Sequence, residues 1–340
     1  MWQVIGQDRA VSLLQRSMER GVVAHAYLLV GPPHVGKMTL ALNLAQALNC
    51  LADEPPCGVC DSCQRIASAR HADIQIIALD SAVAPDEVKG RTEIGIDQIR
   101  QMQHSASLPP FEGQYRVFII DGAEKLSIEA ANCLLKTLEE PVGRVVFVLL
   151  TTDDGLLPAT VVSRCQRLEL RSMAAGEVET VLDRQGTQAE EARLLARLSH
   201  GRLGWALSAA SNSALLEQRS QQLNSLVAAV GADYEERFSY ATQLAAQFGQ
   251  NREVVWEILA LWLDFWRDLM LIKLGLREAI SNIDLEAELV AEAKDFTLDE
   301  IRDFINAILE AEQGLKQNAN ARLVFEVLML SMPIRKGVFR

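Results

Sequence analysis

The sequence predicts an α/β core, a parallel sheet covered by helices, followed by a region built from helices alone. Three observations carry this. A short apolar run, Ala26–Val30, leads through Gly31-Pro32-Pro33-His34-Val35-Gly36-Lys37 into the apolar helical stretch Leu40–Leu48, the order strand, G-x-x-x-x-G-K, helix. Two further near-continuous apolar runs, Arg116–Asp121 (RVFIID) and Val145–Thr151 (VVFVLLT), are separated by a helical pattern, as in a sheet buried on both faces. From about Ser172 the strand pattern stops and only helical periodicity remains.

In order along the chain, residues 1–24 read as an entry segment and an amphipathic helix with Val11, Leu13, Leu14 and Met18 on its buried side. The glycine-rich turn follows. Gly31 and Gly36 let backbone N–H groups wrap a phosphate, the helix N-terminus adds a favourable field, and Lys37 reaches the terminal phosphates. The position after the lysine, where a Ser or Thr hydroxyl normally holds magnesium, is Met38, whose thioether magnesium does not favour. Thr39 stands one residue on and points about 100° away. His34 crowds a position such loops leave to glycine. The stretch predicts a nucleotide fold and argues against a competent hydrolytic centre.

Cys50, Cys57, Cys60 and Cys63 then interrupt the pattern with the spacing C-x6-C-x2-C-x2-C. Four thiolates on tight Pro/Gly turns complete a tetrahedral zinc shell with no open position, a structural site. Unliganded cysteines and a C-x-x-C redox pair are the alternatives. Next come a strand over Asp73–Leu79, a polar and mobile stretch over Ser81–Glu93, and a helix over Gly95–Met102. The strand Arg116–Asp121 ends in a carboxylate placed to support a metal's water shell beside the phosphate loop. Where a glutamate often follows there is Gly122, and the nearest is Glu124. Ser127–Glu139 reads as a helix stopped by Pro141, and Thr160–Gln166 follows the next strand after a short loop.

Beyond Ser172, helices are expected over Glu177–Asp183, Gln188–Leu198 and Arg202–Ala209, then longer ones that include Glu253–Leu274. Trp256, Trp262 and Trp266 on the latter have the spacing of a packed core rather than a ligand platform. The formal net charge of −12 argues against a surface that grips nucleic acid throughout. No apolar run has membrane-spanning length and the N-terminus lacks a targeting pattern, so a cytoplasmic protein is expected.

Ile5–Gln7 (IGQ), His25–Lys37, the four cysteines, Asn132–Pro141 (NCLLKTLEEP), Ser163–Gln166 (SRCQ) and Asn318–Leu330 together resemble the AAA+ family, and within it the bacterial clamp-loader subunits of DNA polymerase III. The resemblance implies a RecA-like AAA+ core over 1–171 with a zinc module at 50–63, a helical lid over 172–212 and a helical collar over 213–340. It also implies partners: gamma/tau motor subunits and delta in a hetero-pentameric ring, with the sliding clamp and primed DNA reached through the assembly. Motor subunits of the family keep a Thr after the loop lysine, a Glu after the sheet Asp and an Arg in the lid. Met38, Gly122 and Gly204 stand there instead, with Arg202 two residues early. These departures resemble a non-motor subunit that assists hydrolysis next door. Arg164 of the SRC motif would then reach a neighbour's γ-phosphate in trans. Cys165 and Cys133 would serve packing, and Lys136 would face either a DNA phosphate or solvent. Gly31–Thr39 with Asp121 would be the cradle of any nucleotide, ATP or ADP, with magnesium disfavoured. A catalytically active gamma-type ATPase is the alternative, and a zinc-dependent nucleic-acid module on a degenerate AAA+ fold a third.

Overall fold

The computed structural model describes residues 1–79, 93–140 and 143–335. Most of the polar stretch expected over Ser81–Glu93, and the expected helix stop at Pro141, lie outside the described residues. The chain divides into two compact units, Met1–Met173 with Arg202–Gly204, and Ala174–Gly201 with Trp205–Arg340.

In the first unit, five parallel strands stand in the order β2-β3-β4-β1-β5. They are β1 (Ala26–Val30), β2 (Ile74–Ile77), β3 (Arg116–Asp121), β4 (Val145–Thr151) and β5 (Gln166–Glu169). The helices are α1 (Asp8–Glu19), α2 (Lys37–Asn49), α3 (Asp61–Ala67), α4 (Ile96–Ala106), α5 (Ile128–Glu139) and α6 (Ala159–Val162). Alternate residues of the strands feed two cores. Tyr27, Leu29, Val117, Ile119, Val146 and Val148 face α1 and α2, while Leu28, Val30, Phe118, Ile120, Phe147 and Leu149 face α4, α5 and α6. Since both faces are covered, β1 and β4 are buried at every position.

Two expectations fail here. Leu13 does not share the buried side of α1: it is exposed, while Ala10 and Leu14 are buried and Val11 and Met18 pack at the margin. At about 100° per residue, Leu13 falls just outside the arc that meets the sheet. The segment after Ser163 also holds a strand that the sequence reading lacks, because β5 buries only Leu168. As the last strand in the order, it pairs on one side only.

At the end of the sheet opposite the phosphate loop, the chain before β3 is held by polar side chains. Asp73, fully buried, accepts from the backbone N–H groups of Phe111 (2.6 Å), Glu112 (2.9 Å) and Gly113 (2.7 Å) and pairs with Arg116. Asn49, at the end of α2, accepts from Gln114 and Tyr115 at 2.8 and 2.9 Å. Arg65 on α3 meets Glu112 with two hydrogen bonds of 2.8 and 2.6 Å.

The second unit is helical throughout its described residues: α7 (Ala175–Arg184), α8 (Ala189–Leu198), α9 (Leu203–Ser211, its first two residues grouping with the first unit), α10 (Ser213–Gly231), α11 (Tyr234–Gln250), α12 (Arg252–Lys273), α13 (Glu286–Glu292), α14 (Leu298–Lys316) and α15 (Ala321–Ser331), with short 3-10 turns before α13. The tryptophans of α12 serve its core. Trp262 and Trp266 are fully buried, and Trp266 lies 5.3 and 4.8 Å from the rings of Phe296 and Phe304. Trp256 packs edge-on against Phe248. A buried arginine, Arg237 of α11, donates to five carbonyls: Ala229 and Val230 near the end of α10, and Met329, Met332 and Pro333 at the end of α15. No carboxylate faces it among these bonds; the carbonyl ends of two helices supply the negative field. No described helix is long and apolar enough to cross a membrane.

Candidate functional site: a phosphate loop, a cysteine shell and an exposed arginine

The phosphate loop hangs between the end of β1 and the start of α2. Its backbone is fixed from below. Val35 is buried, its carbonyl accepts from the side-chain amide of Gln7, and Gln7 in turn bonds both the N–H and the C=O of Arg171. Gly31 lies against the Leu170 carbonyl so closely that a Cβ would overlap it. Gly36 sits at φ +98°, where glycine is strongly favoured, and immediately precedes α2. His34 holds φ +62°, a left-handed turn position occupied by a side chain. This is the crowding its sequence position suggests.

Lys37 donates to the carbonyls of Gly31 and, at 2.8 Å, Pro32, so its ammonium lies inside the curl of the loop. Burial pushes its pKa down, against the opposing charges of Glu124 and Asp121. Asp121, at the end of β3, is pushed up by burial, with Lys37 opposing and Glu124 reinforcing the rise. Lys37, Asp121 and Glu124 thus share one field. Glu124 accepts from the Thr152 hydroxyl at 3.2 Å, and its other carboxylate oxygen is buried without a hydrogen-bond partner among the described residues. Sequence spacing gave Glu124 no role; it stands in the 3-10 turn Ala123–Lys125 after the left-handed Gly122, within electrostatic reach of the lysine.

Met38 packs against the apolar core beside α2, and Thr39 follows on the helix. The loop therefore keeps the backbone cradle and the lysine, while the side chain in the metal position is a thioether turned to the core. Gly204, which groups with the first unit, donates its N–H to the His34 carbonyl at 2.9 Å, and a Cβ there would lie 2.9 Å from that oxygen. A side chain at 204 has no room against the loop. Burial lowers the His34 pKa, and the charges of Arg202 and Lys37 lower it further, which puts Arg202 within electrostatic reach of the loop.

The four cysteines converge as their spacing implies. The sulfurs of Cys50, Cys57, Cys60 and Cys63 lie within 4.8 Å of one another, close enough to share a single metal ion. Backbone N–H groups of Cys57, Cys60 and Cys63 donate to sulfurs at 3.5, 3.3 and 3.4 Å. Such donors stabilise thiolates. The backbone N–H groups of Cys60 and Val59 bring Cys57 down to about 6, while burial pushes Cys63 up to about 12. The donor set fits a zinc ion, and the shell is closed by cysteines alone. Gln46 anchors the module from α2 through the Cys63 carbonyl at 2.8 Å.

Arg164 lies just past α6, in the turn that leads to β5. Its guanidinium donates to the Thr160 carbonyl at 2.8 Å and to Glu139, the last residue of α5, at 2.5 Å. About a third of the side chain is exposed, so it is neither buried nor loose. Cys165 and Cys133 pack against the core on this face; burial drives the Cys165 thiol up to about 12, and Cys133 bonds Gln103. Lys136 is exposed.

Residues 6–174 match the family model described as DNA polymerase III, delta subunit. The chain is 29% identical over 327 residues to DNA polymerase III subunit delta' of Bacillus subtilis, with 96% of each chain covered. It is 26% identical over 351 residues to the tau subunit of the same organism and 31% over 292 residues to tau of Escherichia coli. It spans only 60% and 44% of those two tau chains. A solved structure of a DNA polymerase III gamma subunit-related protein from Thermotoga maritima is similar at 17% identity and a TM-score of 0.45, over 95% of this chain and 98% of that one. Together with the phosphate loop, the cysteine shell and the SRC turn, the sequence matches place the chain in a family: it belongs to the clamp-loader family of DNA polymerase III.

Proposed function

We propose that this chain is the delta-prime-type, non-motor subunit of a DNA polymerase III clamp loader. It would act in a hetero-pentameric ring with gamma/tau and delta, and through that ring on the sliding clamp and primed DNA. The chain divides by role into an AAA+ core over 1–171, a lid over 172–212 and a collar over 213–340. The observation that carries the choice of subunit is Met38, half-buried against the core where a motor subunit keeps a magnesium-binding hydroxyl. Gly122 and the tight approach of Gly204 to the loop point the same way.

Arg164 supplies the function that remains. Its charge sits on a fixed turn and stays accessible, and a guanidinium donated across an interface spreads positive charge over the phosphoryl oxygens of a neighbour's nucleotide as the bond breaks. The zinc shell of Cys50, Cys57, Cys60 and Cys63 is structural. Gly31–Thr39 with Lys37 and Asp121 would hold ATP or ADP through backbone N–H groups and the ammonium, with little help from magnesium. The protein works in the cytoplasm.

The test is DNA- and clamp-stimulated ATP hydrolysis by a reconstituted loader of shown assembly. Arg164→Ala is expected to slow hydrolysis at the neighbouring site by about a thousandfold, and Lys37→Ala to leave the rate near wild type. An unchanged rate in the arginine variant overturns the reading. One observation favours a gamma-type ATPase instead, the convergence of Glu124 on Lys37 and Asp121. That alternative requires Lys37→Ala to remove activity.

A further inference from the structure

Arg164 does not stand alone. One terminal nitrogen bonds the Thr160 carbonyl one turn back, and the other bonds the Glu139 carboxylate at the end of a different helix. Glu139 is itself on a fixed element. Ser127 caps the start of α5, and on α4 the side-chain amide of Gln103 donates to the Cys133 carbonyl and the Thr137 hydroxyl of α5, both at 2.7 Å. The carboxylate sits at the negative end of α5, where a cation is favoured. The guanidinium is therefore drawn to this place by the helix end and by Glu139 together.

An arginine that must meet a phosphate across an interface has several free torsions, and every one that has to be frozen on contact weakens the contact. Two acceptors of its own chain freeze them beforehand. They occupy two of the five N–H donors of a guanidinium and leave three for an incoming phosphate. With the Glu139 side chain half exposed and that of Arg164 one-third exposed, the pair is open to solvent and neither member is shut away from a partner.

We propose that Glu139 is a positioning residue for Arg164, holding the guanidinium in the orientation that it presents to the phosphoryl group in the neighbouring subunit. This rests on the reading of Arg164 as acting in trans. It differs from a plain surface ion pair in what it predicts: the effect of Glu139 passes entirely through Arg164.

The experiment is a cycle of Arg164→Ala, Glu139→Ala, Glu139→Gln and the double alanine variant in the reconstituted loader, with ring assembly verified by size-exclusion chromatography. Glu139→Ala is expected to lower kcat about tenfold, short of the roughly hundredfold that a misplacement of about 1 Å can cost, with KM for ATP within about twofold of wild type. Glu139→Gln keeps an acceptor of the same shape and is expected to lose less. The double variant is expected to match Arg164→Ala alone. If Arg164→Ala is impaired while Glu139→Ala runs at the wild-type rate, the positioning role is overturned and the trans role stands. A wild-type rate for Arg164→Ala overturns the trans role itself. A further loss in the double variant shows that Glu139 acts by another route and also overturns the proposal. Should Glu139→Ala fail to assemble, Glu139→Met decides, because it keeps the length of the side chain and removes the acceptor: a wild-type rate there with Arg164→Ala impaired overturns the positioning role.

Discussion

Asp73 organises a whole turn through one carboxylate. Burial alone would raise its pKa, but the three N–H groups of Phe111, Glu112 and Gly113 and the Arg116 guanidinium outweigh burial and hold it below the usual carboxylate value. The sign of the linkage follows. A depressed carboxylate contributes stability above its unfolded pKa, about 3.9, and that contribution fades as pH falls through the lower folded value. Asp73→Asn is expected to cost on the order of 1–3 kcal/mol at pH 7, since an amide NH2 must face backbone donors. The penalty should shrink as the pH approaches 3, and denaturant unfolding at several pH values checks it. A pH-independent penalty would mean that the ionised form is not what holds the turn. Arg237 is the basic counterpart. Burial lowers its pKa, yet five carbonyls surround it. Arg237→Met strands those carbonyls and is expected to destabilise the helical unit by on the order of 1–3 kcal/mol in a urea titration. Arg237→Lys should recover little, because an ammonium has no fork to bridge two helix ends.

Elements differed in how plainly the sequence announced them, and the difference follows from burial. β3 and β4 are central strands with both faces covered, so their sequences are unbroken apolar runs with the bounds read from them. β5 buries Leu168 between Gln166, Arg167 and Glu169, all exposed, and no apolar run marks it. The cysteine module was legible because ligand spacing is a local property. What surrounds it was not: Gln46, Asn49 and Asp73 are single polar residues without periodicity, and only the fold shows that they join α2, the module and the turn before β3. That connection gives the module a mechanical role. If zinc fills the shell, about one ion per chain should be found by metal analysis, and a strong chelator should lower the melting temperature and open 50–70 to protease. Full retention of both after metal removal would make the cysteines a dry cluster.

At the scale of the molecule, the candidate site was legible in its parts and not in its relations. Lys37, Asp121 and Arg164 each sit in a recognisable local motif. That Glu124 stands within electrostatic reach of the lysine depends on the 3-10 turn after Gly122, and that Arg164 is held by Glu139 depends on α5 and α6 packing side by side. Chain-distant relations of this kind leave no local trace. The bonds of Arg237 are another: they tie carbonyls 7 and 8 residues before it to others 92, 95 and 96 residues after it. The last turns of α10 and α15 thereby share a single donor, and neither can fray without withdrawing it from the other. Ends of helices are ordinarily the first places to open, each on its own. Two ends far apart in the chain are thus expected to open as one event, which amide hydrogen exchange would read as a common extent of protection at both.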